Sequence, residues 1–273
     1  MDKKRVLIIT QEMQPYLNGT DIGDIARELP QYVQDKGNEI RVLMPRYGVI
    51  NERRHRLHEV VRLSGMNIIL NDDDYPLIIK VASVPGARMQ VYFLDNDDLF
   101  KRKYVFHDEN NNFYEDNAER MVFFCKAALE TVKKFQWAPD IIHCHGWMTS
   151  LIPLYIKTAY KNEPVFQNSK VVYSMYNGAF EGNLSKEKFL EKAPISAMVE
   201  PEHLNAYKEY NHLGLSKGAA TYADGVIIGS GEIDKDISKF LKSQGKPVLE
   251  FTQEEYLDKY AEFYDNLAPI ISK

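Results

Sequence analysis

A doubly wound, mostly parallel α/β sheet is the fold class this sequence predicts, and three observations predict it. Short β-branched apolar runs recur along the chain: "RVLIIT", "IRVLMP", "LIIKVASV", "QVYFLD", "DIIHCH", "KVVYSMY" and "GVIIGS". Most are apolar throughout rather than alternating, as strands buried on both faces of a parallel sheet must be. Helical patterns separate several of them, and strand, helix and strand in succession build a Rossmann-like sheet.

The 273 residues allow one large α/β domain or two small ones. With 44% hydrophobic and 27% charged residues, a packed core is expected and global disorder is excluded. Thirty-nine acids against 34 bases give a net charge of −5, and no Lys/Arg block reverses it, so a nucleic-acid partner is not expected. The opening "MDKKRVLIIT" reaches polar Thr10 and Gln11 too soon for a signal peptide or a spanning helix, so no membrane partner is expected. Cys125 and Cys144 lie in apolar segments without CxxC spacing and read as reduced core thiols, which predicts a cytoplasmic protein.

The elements follow in chain order. After the first strand, "DIGDIARELPQYVQDKG" places Ile22, Ile25, Ala26, Leu29 and Val33 on one helical face and ends at Gly37; Pro30 removes a hydrogen bond and predicts a kink. From about Val60 to Asp95 several strands follow one another without a helix, which predicts a β-hairpin elaboration on one edge. "DNAERMVFFCKAALETVKKF" is the strongest helix, with Met121, Phe124, Cys125, Ala128 and Leu129 as its apolar stripe. The stretch from Ala179 to Lys217 is polar and helix-prone, an excursion over the ligand edge. The tail "FTQEEYLDKYAEFYDNL" opens with a capping box, Thr252 and Glu255. It then sets Tyr256, Leu257, Tyr260, Phe263, Tyr264 and Leu267 on one face, as a helix folded back on its own sheet would.

Ligands of an open parallel sheet sit beyond the carboxyl ends of its strands. Three loops should converge there: "TQEMQPYLNGTDIGD", "CHGWMTS" and "YNGAFEG". The first offers Gly19 and Gly23 at a helix start but no Lys or Arg, and Asp21 and Asp24 occupy the positive end of the helix dipole. An acid-capped helix is therefore favoured over a phosphate cradle. In the second, His143 and His145 share one face of a strand, but a zinc site wants three or four ligands and no third stands at a diagnostic spacing. They are expected to be buried histidines bonded to backbone, with no metal. In the third, Tyr176 and Asn177 either bond a sugar hydroxyl or close an Asn-Gly turn.

Four segments resemble one family. "VLIITQEMQPYLNGTDIGDIARELPQYVQDKGNEIRVLMPRYG", "FYEDNAERMVFFCKAALE", "PDIIHCHGWMTSLIPLYIK" and "NHLGLSKGAATYADGVIIGS" are similar, in order, to the opening, the DN-x-x-R-F helix, the histidine segment and the closing segment of the first domain of bacterial glycogen synthases and plant starch synthases. The resemblance runs from about Lys4 to Ser230. It implies the acceptor-side half of a two-domain GT-B glycosyltransferase. Such an enzyme moves glucose from ADP-glucose to the non-reducing end of an α-1,4-glucan with retention, and no cofactor is implied.

Carried over residue by residue, the family's first loop, E-x-x-P-F-x-K-T-G-G-L-x-D-V, is matched at Glu12, Pro15, Ile22 and Asp24. Its phosphate-contacting lysine is replaced by Asn18, and its T-G-G by Gly19, Thr20 and Asp21. In H-D-W-H, His145 and Trp147 remain, while Gly146 stands for the aspartate and Met148 for the second histidine. In T-x-H-N, Tyr176 stands for the catalytic-site histidine and Asn177 remains. Asp116, Asn117, Arg120, Thr149, Lys217, Gly218, Ala223 and Asp224 carry the scaffold part of the resemblance.

Too few residues follow Ser230 for a second Rossmann domain, which takes about 100. The organisation expected is thus a domain over residues 1–235, an extension over 236–273 with a closing amphipathic helix, and no second GT-B domain. The function expected is an acceptor-side domain, catalytically impaired alone, that acts in glucan binding or as an accessory or regulatory protein. The alternative is an active glucosyltransferase whose second domain comes from another chain. An α-glucan or a sugar nucleotide is the expected ligand, with a protein partner or self-association as the expected assembly.

Overall fold

The computed structural model describes residues 3–178, 180–195 and 198–269. In chain order the elements are β1 (Arg5–Thr10), α1 (Asp21–Asp35), β2 (Glu39–Pro45), α2 (Glu52–His55), β3 (His58–Glu59), β4 (Met66–Leu70), β5 (Asp73–Ser83), β6 (Gln90–Asp95), α3 (Asp97–Phe100) and α4 (Asn117–Phe135). Then come β7 (Ile141–His145), α5 (Ile152–Lys157), β8 (Lys170–Met175), α6 (Lys186–Lys192), α7 (His212–Tyr222), β9 (Gly225–Ile228), α8 (Lys235–Gln244), β10 (Val248–Leu249) and α9 (Tyr256–Leu267). Short 3-10 turns cover Trp147–Thr149 and Pro201–Tyr207.

The strand order is β10-β9-β8-β7-β1-β2-β6-β5-β3, with β4 paired to β5. From β10 to β6 every neighbouring pair is parallel. β3, β4 and β6 all pair with β5 antiparallel, so the expected hairpin elaboration sits at one edge. β1, β7 and β8 carry unbroken buried runs, as strands covered on both faces do.

The chain leaves β1 in one direction through α1 to β2, and leaves β7 in the other through α5, α7 and α8 to β10. Right-handed crossovers in opposite directions place their helices on opposite faces. Helices α4, α5, α7 and α8 accordingly pack in succession on one face. α1 lies on the other, capped by Thr20 Oγ1 accepting from Gly23 N, and runs through Pro30 with Ile22, Ala26, Leu29 and Val33 buried. α1 alone cannot cover that face over β7, β8 and β9.

Helix α9 completes the second layer. It packs beside α1 with Tyr260, Phe263 and Tyr264 buried against the sheet. Gly225 of β9 leaves room for it: a Cβ there would lie 2.8 Å from the Phe263 ring. Its amino end is tied to α1 by Tyr256 Oη on Glu28 and Tyr32 Oη on Asp258. Its carboxyl end is held by the buried Lys4 ammonium, which donates to Tyr264 O at 3.4 Å and Asp265 Oδ1 at 2.5 Å. The aromatic stripe is therefore core packing. The capping box is not formed. Glu255 takes a left-handed φ of 52° and caps nothing with its side chain. Thr252 Oγ1 is used within the preceding turn, donating to Glu254 O at 2.9 Å. The polar excursion holds α6 and α7; Ala179, Ser196 and Ala197 within it lie outside the described residues. Cys125 and Cys144 are buried free thiols.

Tyr264 Oη meets His143 Nδ1 at 2.5 Å in the interior. Tyr264→Phe would leave one imidazole nitrogen of His143 without a partner, a loss of about 1–3 kcal/mol. Urea unfolding should show this as a lower midpoint with an unchanged slope; an unchanged midpoint would mean that the contact contributes nothing.

Candidate functional site

The carboxyl edge is built by the loops after β1, β2, β6, β7, β8 and β9. The first begins where Gln11 N continues the β1–β7 ladder by donating to His145 O at 3.2 Å, and it ends at the Thr20 cap. Asn18 and Gly19 are exposed on it, Glu12 and Thr20 half-buried, and Asp24 accepts from Gln14 Nε2. Residues that carry the resemblance hold the neighbouring loops. Asn117 Nδ2 donates to Phe106 O at 2.9 Å and Thr149 Oγ1 to Gly146 O at 2.7 Å, while at the opposite edge, where β8 and β9 begin, Asp224 Oδ2 accepts from Val171 N at 2.8 Å. Lys217 is held in an ion pair with Glu209 at 2.8 Å.

The two histidines are buried, but their partners are side chains rather than backbone, which corrects the sequence expectation. His143 bonds Tyr264 Oη through Nδ1 and Ser174 Oγ through Nε2, at 2.5 and 2.6 Å. His145 Nδ1 meets Tyr176 Oη at 2.8 Å, and the two imidazole rings lie 3.8 Å apart. Strand pairing makes the difference: β8 and α9 bring hydroxyls to the same sheet face as the histidines. Burial pushes the His145 pKa down to about 3 and that of His143 well below its usual value, the neighbouring His145 adding to the second. Among the described residues no group of three or more His, Cys, Asp or Glu could hold a metal ion.

Gly146 shows what became of the position where the resemblance implies an aspartate. Its backbone lies at φ 84° and ψ 169°, a region open essentially to glycine alone. A Cβ there would fall 2.4 Å from Gln11 Oε1. That oxygen accepts from Met148 N at 3.3 Å, while Gln11 Nε2 donates to Glu12 Oε1 at 2.6 Å. The glutamine side chain thus fills the space over Gly146. Sequence reasoning missed Gln11; a long polar residue directly after a fully buried strand was the signal.

Tyr176 is buried, its ring against Gly229 and its hydroxyl on His145. It borders a cavity of about 350 Å³ with Asn177, Phe180, Asn211, His212 and Asp234. A second cavity, of about 340 Å³, is bordered by Asp21, Asp24, Glu28, Gly229, Phe251 and Tyr256. Neither is lined by a lysine or arginine among the described residues. Of the candidate residues, Tyr176, Asn177 and Asp21 reach these cavities, whereas His145, Gly146, Trp147 and Met148 lie buried beneath the edge and Asn18, Gly19 and Thr20 border neither.

Buried polar atoms without a partner among the described residues gather at this same edge. They are Tyr16 Oη, Tyr47 Oη, Asp95 Oδ1, Arg120 Nη2, His145 Nε2 and Trp147 Nε1; Ser216 Oγ is the exception to the pattern. Unsatisfied buried polar groups are expensive, and their concentration marks where a fold is adapted to something other than stability. Burial lowers the Arg120 pKa to about 10 and raises that of Tyr16 to about 12.

Fold and site together define a Rossmann-type α/β domain with two cation-free cavities at its ligand edge. The chain belongs to the starch synthase catalytic domain family, whose model matches residues 5–250. It is 40% identical over 191 residues to a glycogen synthase of Chlorobium chlorochromatii (strain CaD3), covering 70% of this chain and 39% of that protein. It is 32% identical over 236 residues to a glycogen synthase of Chlorobaculum parvum, covering 86% and 47%. The chain therefore spans less than half the length of these curated relatives. Its fold matches the catalytic domain of starch synthase IV from Arabidopsis thaliana, a structure bound to ADP and acarbose, with a TM-score of 0.72 at 20% identity over 92% of this chain and 51% of that one.

Two predictions follow from this geometry. An Asp at position 146 meets both a glycine-only backbone and the Gln11 amide, so Gly146→Asp should cost about 2–5 kcal/mol. Adding Gln11→Ser should return at least about 1 kcal/mol of that in a double-mutant cycle read by urea unfolding. Simple additivity would show that Gln11 does not fill the slot.

The second prediction concerns pH. The unfolded state takes up protons on both histidines below their ordinary value of 6.5, while the folded state does not until far lower pH. Stability is therefore fully present above that value and falls on acidification, by about 1.4 kcal/mol per pH unit for each histidine. In the folded protein their imidazole NMR signals should not titrate between about pH 8 and pH 5.5. A midpoint near 6 for either would refute its buried neutral state.

Proposed function

We propose that this chain is a glucan-binding domain of glycogen-synthase type that does not transfer glucose on its own. The observation that carries the proposal is the carboxyl edge itself, with aromatic, amide and acidic side chains around cavities that no Lys or Arg among the described residues lines. Departure of a nucleoside diphosphate builds charge that preorganised cations must meet, and one such donor is worth roughly 3 kcal/mol of barrier. A neutral polyol makes no such demand. Aromatic faces with a few amide and hydroxyl groups suit it. Residues 1–235 then form the glucan-side domain, and 236–273 close its second face through α9. The buried thiols Cys125 and Cys144 fit a reducing cytoplasm.

Isothermal titration of the purified chain should give saturable binding of maltoheptaose and none of ADP-glucose at millimolar concentration. Tight ADP-glucose binding would sink the proposal. The second reading, an active ADP-glucose glucosyltransferase completed by another chain, is favoured by one specific finding: the relatives named glycogen synthase match most of this chain over less than half of their own length. Radiolabelled glucose transfer onto glycogen, measured with the chain alone and with cell extract, separates the two. Incorporation that depends on both chain and extract supports the second reading, and incorporation in neither excludes it.

A further inference from the structure

We infer that the loop 101–116, between α3 and α4, is a lid over a sugar-binding floor made by Tyr47, Arg120 and Trp147. The inference rests on the glucan-binding reading above and goes beyond it by naming how access is controlled.

Three of the orphaned buried donors come from three separate elements: Tyr47 from the turn after β2, Arg120 from α4 and Trp147 from the turn after β7. Tyr47 and Trp147 meet beneath one ring, and Arg120 lies beside Tyr47. Phe106 lies 5.6 Å from the Tyr47 ring and 5.0 Å from the Trp147 ring, and the Arg120 guanidinium sits 6.0 Å from Tyr47. Phe106 belongs to the loop. So does Phe113, which lies 5.9 Å from Trp147 and stacks on Phe180 at 4.9 Å, beside the cavity that Phe180 borders. Over Tyr47 and Trp147 the floor is thus sealed by apolar rings that offer Tyr47 Oη and Trp147 Nε1 nothing to bond, and the Arg120 guanidinium lies over the Phe100 and Tyr114 rings at 5.2 and 5.4 Å.

A structural loop would be expected to satisfy the donors it buries, or to have apolar residues beneath it. Arg120 is fully buried with no carboxylate within ion-pair distance among the described residues; Asn117 Oδ1 and Leu99 O are its acceptors. The loop is long for a connection without helix or sheet of its own, as lids are. One side-chain bond ties it to α4, from Asn117 Nδ2 to Phe106 O at 2.9 Å. An Asp108–Asn112 turn closes its tip, and its base is latched by Arg102 on Asp116, a bidentate pair with Nη1–Oδ1 at 2.8 Å. The rings on its underside are only half-buried.

Lifting the loop uncovers three donors together with the faces of Trp147 and Phe180. The occupant this suits is an uncharged α-glucan chain, whose hydroxyl and ring oxygens accept from the donors while its apolar faces lie on the rings.

The test uses the full chain carrying Trp137→Phe, which leaves Trp147 as the sole tryptophan. Maltoheptaose should change Trp147 emission saturably, with the affinity found by calorimetry. Releasing the latch with Arg102→Gln should raise acrylamide quenching of Trp147 in the free protein. It should also tighten maltoheptaose binding at least about threefold, because the open state is then more populated. Phe106→Leu, which trims the seal and leaves the latch intact, should act in the same direction. Binding seen by calorimetry while Trp147 emission stays silent overturns the lid alone. So does an unchanged affinity in both variants. No binding by calorimetry to parent or variants overturns the glucan reading itself, and the sugar floor with it.

Discussion

Two imidazoles side by side inside a parallel sheet impose the constraint from which much of this structure follows. His143 and His145 point to the face that α1 leaves bare, and burial lowers both pKa values, so both rings stand neutral there. A neutral histidine still needs partners for its nitrogens, and an apolar cover would supply none. The chain supplies hydroxyls: Ser174 and Tyr176 from the adjacent strand and Tyr264 from α9. The last helix is therefore more than a hydrophobic lid on the sheet. Its stripe closes the second layer, and its Tyr264 hydroxyl fixes which nitrogen of His143 is satisfied from above.

The same polar seam runs out to the ligand edge, where satisfaction stops. His145 bonds Tyr176 on one side and nothing on the other, and the unpartnered groups of Trp147, Arg120, Tyr47 and Tyr16 continue the series across the neighbouring loops. Deeper in the sheet both nitrogens of His143 are matched. At its edge these groups are not, although apolar replacements of similar shape would be cheaper. At Gly146 the Gln11 side chain fills the space a Cβ would need, and the backbone takes a conformation that suits glycine.

Much of the fold was legible in the sequence because it rests on periodicity and on runs too apolar to be surface. The strands "RVLIIT", "DIIHCH" and "KVVYSMY" and the helices over 21–35 and 117–135 stand where pattern places them. The failures are informative. Thr252 and Glu255 have the spacing of a capping box, but spacing does not encode the left-handed turn at Glu255 that starts the helix one residue later. The histidine partners were misassigned because they lie 31 and 121 residues away, on elements whose register only the assembled sheet defines. The candidate site was half legible. The three loops do share one edge, yet most of their marked residues are buried below it. Gln11, Tyr47 and Phe106 matter through contacts that no local motif announces.

Charge decides what such an edge can hold. A nucleoside diphosphate brings two or three negative charges to the mouth of a sheet where α1 begins, and helix starts are favourable for it only when the first turn is free of acids. Here Asp21 and Asp24 sit in that turn and Glu28 lies one turn further on, all three on the second cavity. Two of these acids have a local use: Asp24 takes the Gln14 amide and Glu28 takes the Tyr256 hydroxyl of α9. Two of the residues that repel a diphosphate are thus the ones that fasten the first helix to its loop and to the last helix. Restoring a phosphate site by placing one lysine at Asn18 would leave those carboxylates in position. Removing them would loosen the layer that keeps His143 satisfied. Stability of the closed sheet and affinity for an anionic donor therefore pull on the same side chains.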